Sequence, residues 1–269
     1  MKIRPRHVAA ILLRQYYLMR GSPVRILPVV VWVAIDIILW GFISRYLNII
    51  ASSQFDFLAA LLGAIIFWDF FNRVMYGVST AFLEDVWSRN FLNLFTSPLS
   101  VLEYLIGLVL CSILTSIAGL LVMLILASLA FGLSFFSYGL TVIPFLTVLF
   151  LFGIALGIVA IAMVLRFGPP AEWLVWPIPA LLSPFAAVFY PVAVLPRWMQ
   201  YLARALPPSY VFESMRTLVS GGRPGHIDLL IATGLAVLYV IIACWFFAHV
   251  FKVVIREGHI ARYSAETVS

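Results

Sequence analysis

Charge is scarce in this sequence. Only 10% of the 269 residues are Asp, Glu, Lys or Arg, against 64% apolar, and the mean hydropathy is +1.10. A soluble domain has about 25% charged residues, so a water-exposed surface is excluded for most of the chain. Cysteine is nearly absent too. Cys111 and Cys244 both fall in predicted spans, so neither a disulfide framework nor a metal site is suggested. The four histidines, His7, His226, His249 and His259, are scattered, and no two stand at the i, i+4 spacing of a zinc motif. No G-x-x-x-x-G-K-[ST] occurs, so the chain has no P-loop for a nucleotide, and no G-x-S-x-G or compact Ser, His and Asp constellation points to an esterase-like site.

What is present is a series of continuously apolar runs near the length needed to cross a bilayer. They predict an all-α integral membrane protein, because a β-barrel requires alternation that these runs lack. Six spans are expected, at about 27–47, 57–80, 101–131, 139–166, 173–193 and 228–251. They form one domain over 1–269: an N-terminal segment 1–26, a bundle 27–251 and a tail 252–269.

The N-terminal MKIRPRHVAAILLRQYYLMR is basic but has too short an apolar core, and no small-residue cleavage pattern, to be expected as a signal peptide. Val8, Ile11, Leu12, Tyr16 and Leu18 recur near helical spacing beside Arg14 and Arg20, which predicts a helix lying in the membrane interface.

Six spans put both termini on one side. Lys2, Arg4, Arg6, Arg14, Arg20 and Arg25 precede the first span, and Lys252, Arg256 and Arg262 follow the last, so that side is expected to be cytoplasmic. Arg89 and Arg166 join them, leaving Arg45, Arg197, Arg204, Arg216 and Arg223 on the outer side. The net charge of +6 is therefore explained by membrane topology, and nucleic acid is not an expected partner.

Between the last two predicted spans, prolines at 177, 179, 184, 191, 196, 207 and 208 rule out one straight helix. Backbone freed by such breaks survives in a bilayer only where protein or a wet cavity satisfies it. From Pro196 to Pro207, Trp198, Met199, Leu202 and Leu206 alternate with Arg197 and Arg204, predicting a short amphipathic helix at the outer interface. Glu213 and Arg216, three apart, are expected to pair.

Three charges fall inside spans. Asp36 lies in the first, and Asp69 and Arg73 in the second, four residues apart on one face. Such groups cost about 2.5–3.5 kcal/mol at a span centre on insertion scales, so they must face protein or water. An ion or proton relay and a structural ion pair are both open for them.

The stretch FLEDVWSRNFLNLFTSPLS, Phe82 to Ser100, interrupts the apolar runs. On a helix, Leu83, Val86, Trp87, Phe91 and Leu94 gather on one side and Glu84, Asp85, Ser88 and Arg89 on the other, with Asp85 and Arg89 at pairing distance. A surface helix ended by Pro98 is expected.

Taken in order, these features resemble the type-2 ABC export permeases: a segment ending in Ser-Pro before the third span, and the outer stretch FYPVAVLPRWMQYLARALPPSYVFESMR. The resemblance covers essentially the whole chain. It implies a coupling helix from Phe82 to Leu94 whose ATPase-facing residues include Phe82, Glu84, Asp85, Arg89 and Asn90. It also implies an outer re-entrant gate carrying Pro196, Trp198, Pro207, Pro208, Tyr210, Glu213 and Arg216, and a path framed by the first, second and fifth spans. Partners implied are two ABC ATPase subunits, which would hold the ATP and Mg, a second permease copy and membrane lipids, in the bacterial inner membrane. No cofactor or metal is implied on this chain. Substrates of similar permeases are polysaccharides, lipid-linked glycans, lipids or amphipathic drugs. An ion-coupled secondary transporter or channel using Asp36, Asp69 and Arg73 is the alternative, and a structural membrane subunit a third.

Overall fold

The computed structural model describes residues 3–21, 27–51, 57–88, 97–133 and 141–257, apart from the side chains of 28–30 and 51. All regular structure among them is helical. In chain order the helices are α1 (Pro5–Arg20), α2 (Leu27–Ala51), α3 (Phe57–Trp87), α4 (Val101–Phe131), α5 (Val142–Phe167), α6 (Ile178–Ala186), α7 (Arg197–Ala205), α8 (Pro207–Val219) and α9 (His226–Arg256), with 3-10 turns at Pro169–Leu174 and Val192–Val194. Five helices, α2, α3, α4, α5 and α9, are long and apolar enough to cross a membrane. At 1.5 Å per residue the 31-residue helices α3, α4 and α9 are about 46 Å long, well beyond about 30 Å of hydrocarbon.

Local chemistry sets the boundaries. Pro5 opens α1, where its missing N–H costs nothing. Ser100 caps α4 by accepting the Glu103 amide, while the Glu103 carboxylate takes the Ser100 amide in return. Gly132, at φ 68°, ends α4 in the left-handed conformation that glycine adopts without strain.

α3 is the central helix, packed against α2, α4, α5 and α8. Small residues let its neighbours come close. A Cβ on Gly157 of α5 would stand 2.8 Å from Val78 Cβ and 3.0 Å from Met75 O, and one on Gly153 would stand 2.9 Å from Val74 Cγ1. This spacing of four puts two glycines on one face of α5, the small-xxx-small geometry of close helix pairs. On the α4 side, Ser112 Oγ donates to Val74 O at 2.8 Å beside Gly77. The exposed faces of α2 and α9 are apolar, as at Phe42 and Ile49 of α2 and Leu230 and Trp245 of α9.

Two expectations need correction. The first part of the predicted surface helix, residues 82–87, continues α3 without a break, and residues 89–94 of it lie outside the described residues. The predicted fifth span, 173–193, contains no long helix; it is a 3-10 turn followed by the nine-residue α6, which Ala187 ends at φ 52°. The prolines at 177, 179 and 184 explain the fragmentation, since each removes a backbone donor.

The broken segment nevertheless follows α3 end to end. Glu172 accepts from Trp87 Nε1 at 2.5 Å, Trp176 O accepts from Tyr76 O–H at 2.7 Å, and Val188 and Phe189 share a cavity with Phe57, Ala60 and Leu61. Phe189 also stacks on Trp40 of α2, ring centroids 5.2 Å apart.

Candidate functional site

Three helices meet where α3 ends. Asp85 is 1% exposed; Tyr104 of α4 donates to its Oδ2 at 2.7 Å, and Arg14 of α1 pairs with its Oδ1. From the adjacent residues, Gln15 Nε2 donates to Glu84 Oε2 at 2.8 Å. Burial works against the charge of Arg14, but the hydrogen bond and charge of Asp85 outweigh it, and the guanidinium holds its proton more tightly than an ordinary arginine. α1 is tied to α4 as well. Glu103 accepts from the Arg4 amide at 2.7 Å and meets His7 Nδ1 at 3.0 Å, while Ile11 packs where a Cβ on Gly107 would sit.

This corrects the expected role of Asp85. Its carboxylate faces inward, against α1 and α4. In the continuing register of α3 it follows Val78, Ala81 and Phe82 on the buried face, at i+7, i+4 and i+3. Phe82 is buried for the same reason. Glu84 is half-buried, and Trp87 and Ser88 are exposed at the helix end. Arg89 and Asn90 lie outside the described residues.

Higher on α3, Arg73 Nε donates to Asp69 Oδ2 at 2.7 Å, the i, i+4 pair expected from the sequence. The arginine stem crosses Gly119 of α4, where a Cβ would meet Arg73 Cδ at 2.9 Å. Asp36 on α2 lies within the electrostatic reach of both. Beside the pair is a cavity of about 530 Å³ bordered by α1, α2, α3, α4 and Trp176. Asn72 and Thr80 also face it, and the Asn72 Oδ1 is buried with no hydrogen-bond partner among the described residues.

At the opposite end of α3, the stretch from Val188 to Arg216 is knit by Glu213 of α8. Its Oε1 accepts from the Val192 amide at 2.6 Å and from Arg216 Nη2 at 3.2 Å, while Arg216 Nη1 donates to Val188 O at 3.2 Å. Burial lowers the proton affinity of Arg216 despite the attraction of Glu213. Pro207 and Pro208 start α8 and are buried; Pro196 caps α7, whose Trp198 is exposed with its ring edge toward Phe185. Tyr210 O–H donates to Arg204 O at 2.9 Å, closing the α7–α8 corner.

Sequence reasoning found Asp69 with Arg73 and Glu213 with Arg216, because both pairs lie within one helix. It missed Arg14 with Asp85, Gln15 with Glu84 and His7 with Glu103, whose partners are 69 to 96 residues apart. The acidic residues on either side of the Ser-Pro segment were the available signal, since the nearest basic run is the N-terminal one.

No curated protein matches the chain. The family described as ABC-2 type transporter matches residues 6–219, from the first turn of α1 to the last residue of α8, thereby taking in the α1 brace, the α3 cavity and the outer proline segment. The chain belongs to the ABC-2 type transporter family and is a membrane permease of an ABC transporter, with no nucleotide-hydrolysing domain in the matched region.

Proposed function

We propose that this chain is the permease subunit of an ATP-driven exporter in the bacterial inner membrane, carrying an amphipathic, lipidic or glycan substrate between two permease copies docked on two ATPase subunits. The observation that carries this reading is the bracing of α3. Its exposed end, at Trp87 and Ser88, is anchored to α1 and α4 through the buried Asp85, and the same rigid helix carries Asp69 and Arg73 beside the cavity. A displacement at that end moves the cavity wall with it, as coupling of ATPase closure to substrate release requires.

The segment 169–189 serves as the sixth crossing. It runs from Trp87 past Tyr76 to the neighbourhood of Phe57, the whole length of α3. The end bearing α1 faces the cytoplasm. Arg4, Arg6, Arg14 and Arg20 lie there with Arg166, Lys252 and Arg256, while Arg45, Arg197, Arg204 and Arg216 lie at the other. The ATPase would meet α1 and the chain following Trp87. Glu213 and Arg216 brace the outer gate.

Copurification from native membranes and transport into inside-out vesicles test this. The expected result is recovery of an ABC ATPase and accumulation of substrate that needs ATP and survives collapse of the ion gradients. Transport that needs an ion gradient and proceeds without any ATPase would replace this reading with an ion-coupled one through Asp36, Asp69 and Arg73.

A further inference from the structure

α7 carries a graded face that stands open on the surface. At about 100° per residue, Arg204, Arg197, Tyr201, Ala205, Trp198 and Leu202 follow one another around less than half of the helix, basic at one edge and apolar at the other. All six are exposed, Tyr201 by 70% and Trp198 by 61%. We propose that this face docks on anionic phospholipid: Arg197 and Arg204 take headgroup phosphates, Tyr201 lies between them at headgroup level, and Trp198 and Leu202 enter the acyl region. That the leaflet is the outer one rests on the permease orientation given above.

Charge selects the partner. The sequence RWMQYLARA has two arginines and no acid, and neither arginine has an ion pair among the described residues. Seven residues apart on one edge, they stand about 10 Å apart along the axis, so each meets its own phosphate. A guanidinium donates two parallel hydrogen bonds to such an anion, and tyrosine and tryptophan favour the same depth of the bilayer. A second copy of α7 fits this face badly, because four arginines would meet with no counter-charge from either helix. Water fits it badly too, because Trp198, Tyr201, Leu202 and the neighbouring Val194 would form a bare apolar patch.

The other side of α7 is held to protein by little. Ala203 packs with Ala187 and Leu195 in a small cluster apart from the main core, joined by Tyr190, Val192 and Met199. Gln200 Nε2 donates to Leu195 O at 2.8 Å, and Ser209 Oγ donates to Ala203 O at 2.5 Å. These bonds fix which way the graded face points, while so small a cluster leaves the helix dependent on what its open side meets. Leu195 belongs to the same cluster, so lipid that orders α7 also orders the Val192–Val194 turn held by Glu213.

Each basic residue beside an anionic surface strengthens attachment about fivefold. Hydrogen exchange of the purified permease reads this in nanodiscs of phosphatidylcholine alone and of phosphatidylcholine mixed with phosphatidylglycerol. Phosphatidylglycerol is expected to slow exchange across 197–205 at least about fivefold, and high salt to remove most of that gain. Arg197→Gln combined with Arg204→Gln should abolish the gain while leaving the melting temperature in phosphatidylcholine unchanged, since both side chains are exposed. Lysine at both positions should keep most of it. Arg256→Gln, at an exposed arginine on the opposite end of the bundle, should leave the gain at α7 as it was. Equal exchange in the two lipids, or a gain that survives loss of both arginines, would overturn the proposal. A nitroxide on Leu202→Cys, in a background lacking Cys111 and Cys244, identifies what covers the apolar edge. Collision with oxygen in preference to a water-soluble nickel chelate is expected. A label shielded from both would give the face to a second protein copy, and preference for the chelate would give it to water; either result overturns the lipid assignment. Neither measurement involves ATP or an ATPase, so their failure leaves the permease reading standing, and failure to recover an ATPase leaves the lipid result unchanged.

Discussion

Arg166, at the end of α5, donates to Glu257, just beyond α9, at 2.6 Å. The two helices therefore run parallel, with their C-terminal ends together, and the chain between them must return along the bundle before α9 begins. Both partners are exposed, so the pair itself contributes little: Glu257→Gln is expected to change stability by less than about 1 kcal/mol. Its value is geometric. In a background lacking Cys111 and Cys244, a cysteine at Gly222 and one at Ser88 should react with impermeant maleimide from opposite sides of the membrane. Labelling of both from the same side would mean that residues 169–189 do not cross.

The Arg14, Asp85 and Tyr104 cluster is the connection most sensitive to substitution. Asp85→Asn leaves a half-buried guanidinium without its counter-charge and is expected to destabilise the purified permease by about 2–4 kcal/mol. Tyr104→Phe removes the hydrogen bond to Asp85 while keeping the ring, and should cost about 1–2 kcal/mol. Thermal unfolding followed by intrinsic fluorescence measures both. Because the proton affinity of Arg14 is raised, its contribution is present at every pH below the unfolded arginine value and is lost only above the folded one. The difference between wild type and Asp85→Asn should therefore persist unchanged between pH 6 and pH 9.

The glycines on the two sides of α3 should differ in tolerance. A methyl at Gly157 meets Met75 O, a backbone atom that cannot yield, whereas a methyl at Gly119 meets the flexible stem of Arg73. Gly157→Ala is expected to destabilise the helix pair by about 1–3 kcal/mol. Gly119→Ala should cost less in stability while displacing Arg73 from Asp69, so that ATP-driven transport falls more than the melting temperature does. Equal melting shifts for the two variants would contradict this asymmetry.

How legible each part was depended on the separation between partners. The four intact spans and α9 were readable from hydropathy because lipid exposure demands continuous apolar runs, and α4 was expected at its observed limits, Val101 to Phe131. The pairs inside a helix were readable from a spacing of three or four. The role of Asp85 was not, because the same six residues fit the phase of a surface helix and the phase of a continuing α3. Burial decided between them through Val78, Ala81 and Phe82, all in the preceding two turns. The prolines announced breaks near 177–191, but only Glu172, Trp176 and Phe189 reveal that the broken chain still tracks α3 and α2.

Glu213 makes the stretch from Val188 to Arg216 a cooperative unit. It holds the Val192 amide and Arg216 together, and Arg216 in turn holds Val188. Glu213→Gln keeps an acceptor for Val192 but leaves the partly buried Arg216 without its counter-charge. Faster hydrogen exchange across 186–196 is the expected result, with α4 and α5 unaffected. Protection equal to wild type would mean that the prolines alone hold this corner.

The end of α3 separates docking from stability. Ser88 is exposed one residue beyond the helix and its hydroxyl donates to Asp85 O at 3.3 Å, so Ser88→Arg adds charge and bulk at the surface without disturbing the Arg14 and Tyr104 contacts. Its effect on the melting temperature should be small, within about 0.5 kcal/mol. If the ATPase engages this surface, the same variant should recover markedly less ATPase on copurification and lose ATP-driven transport in proportion. Asp85→Asn predicts the reverse order, with lost stability preceding lost docking, because its partners lie inside the protein. A Ser88→Arg permease that docks and transports like wild type would remove the α3 end from the coupling surface and shift attention to α1, the other element held by the same buried aspartate.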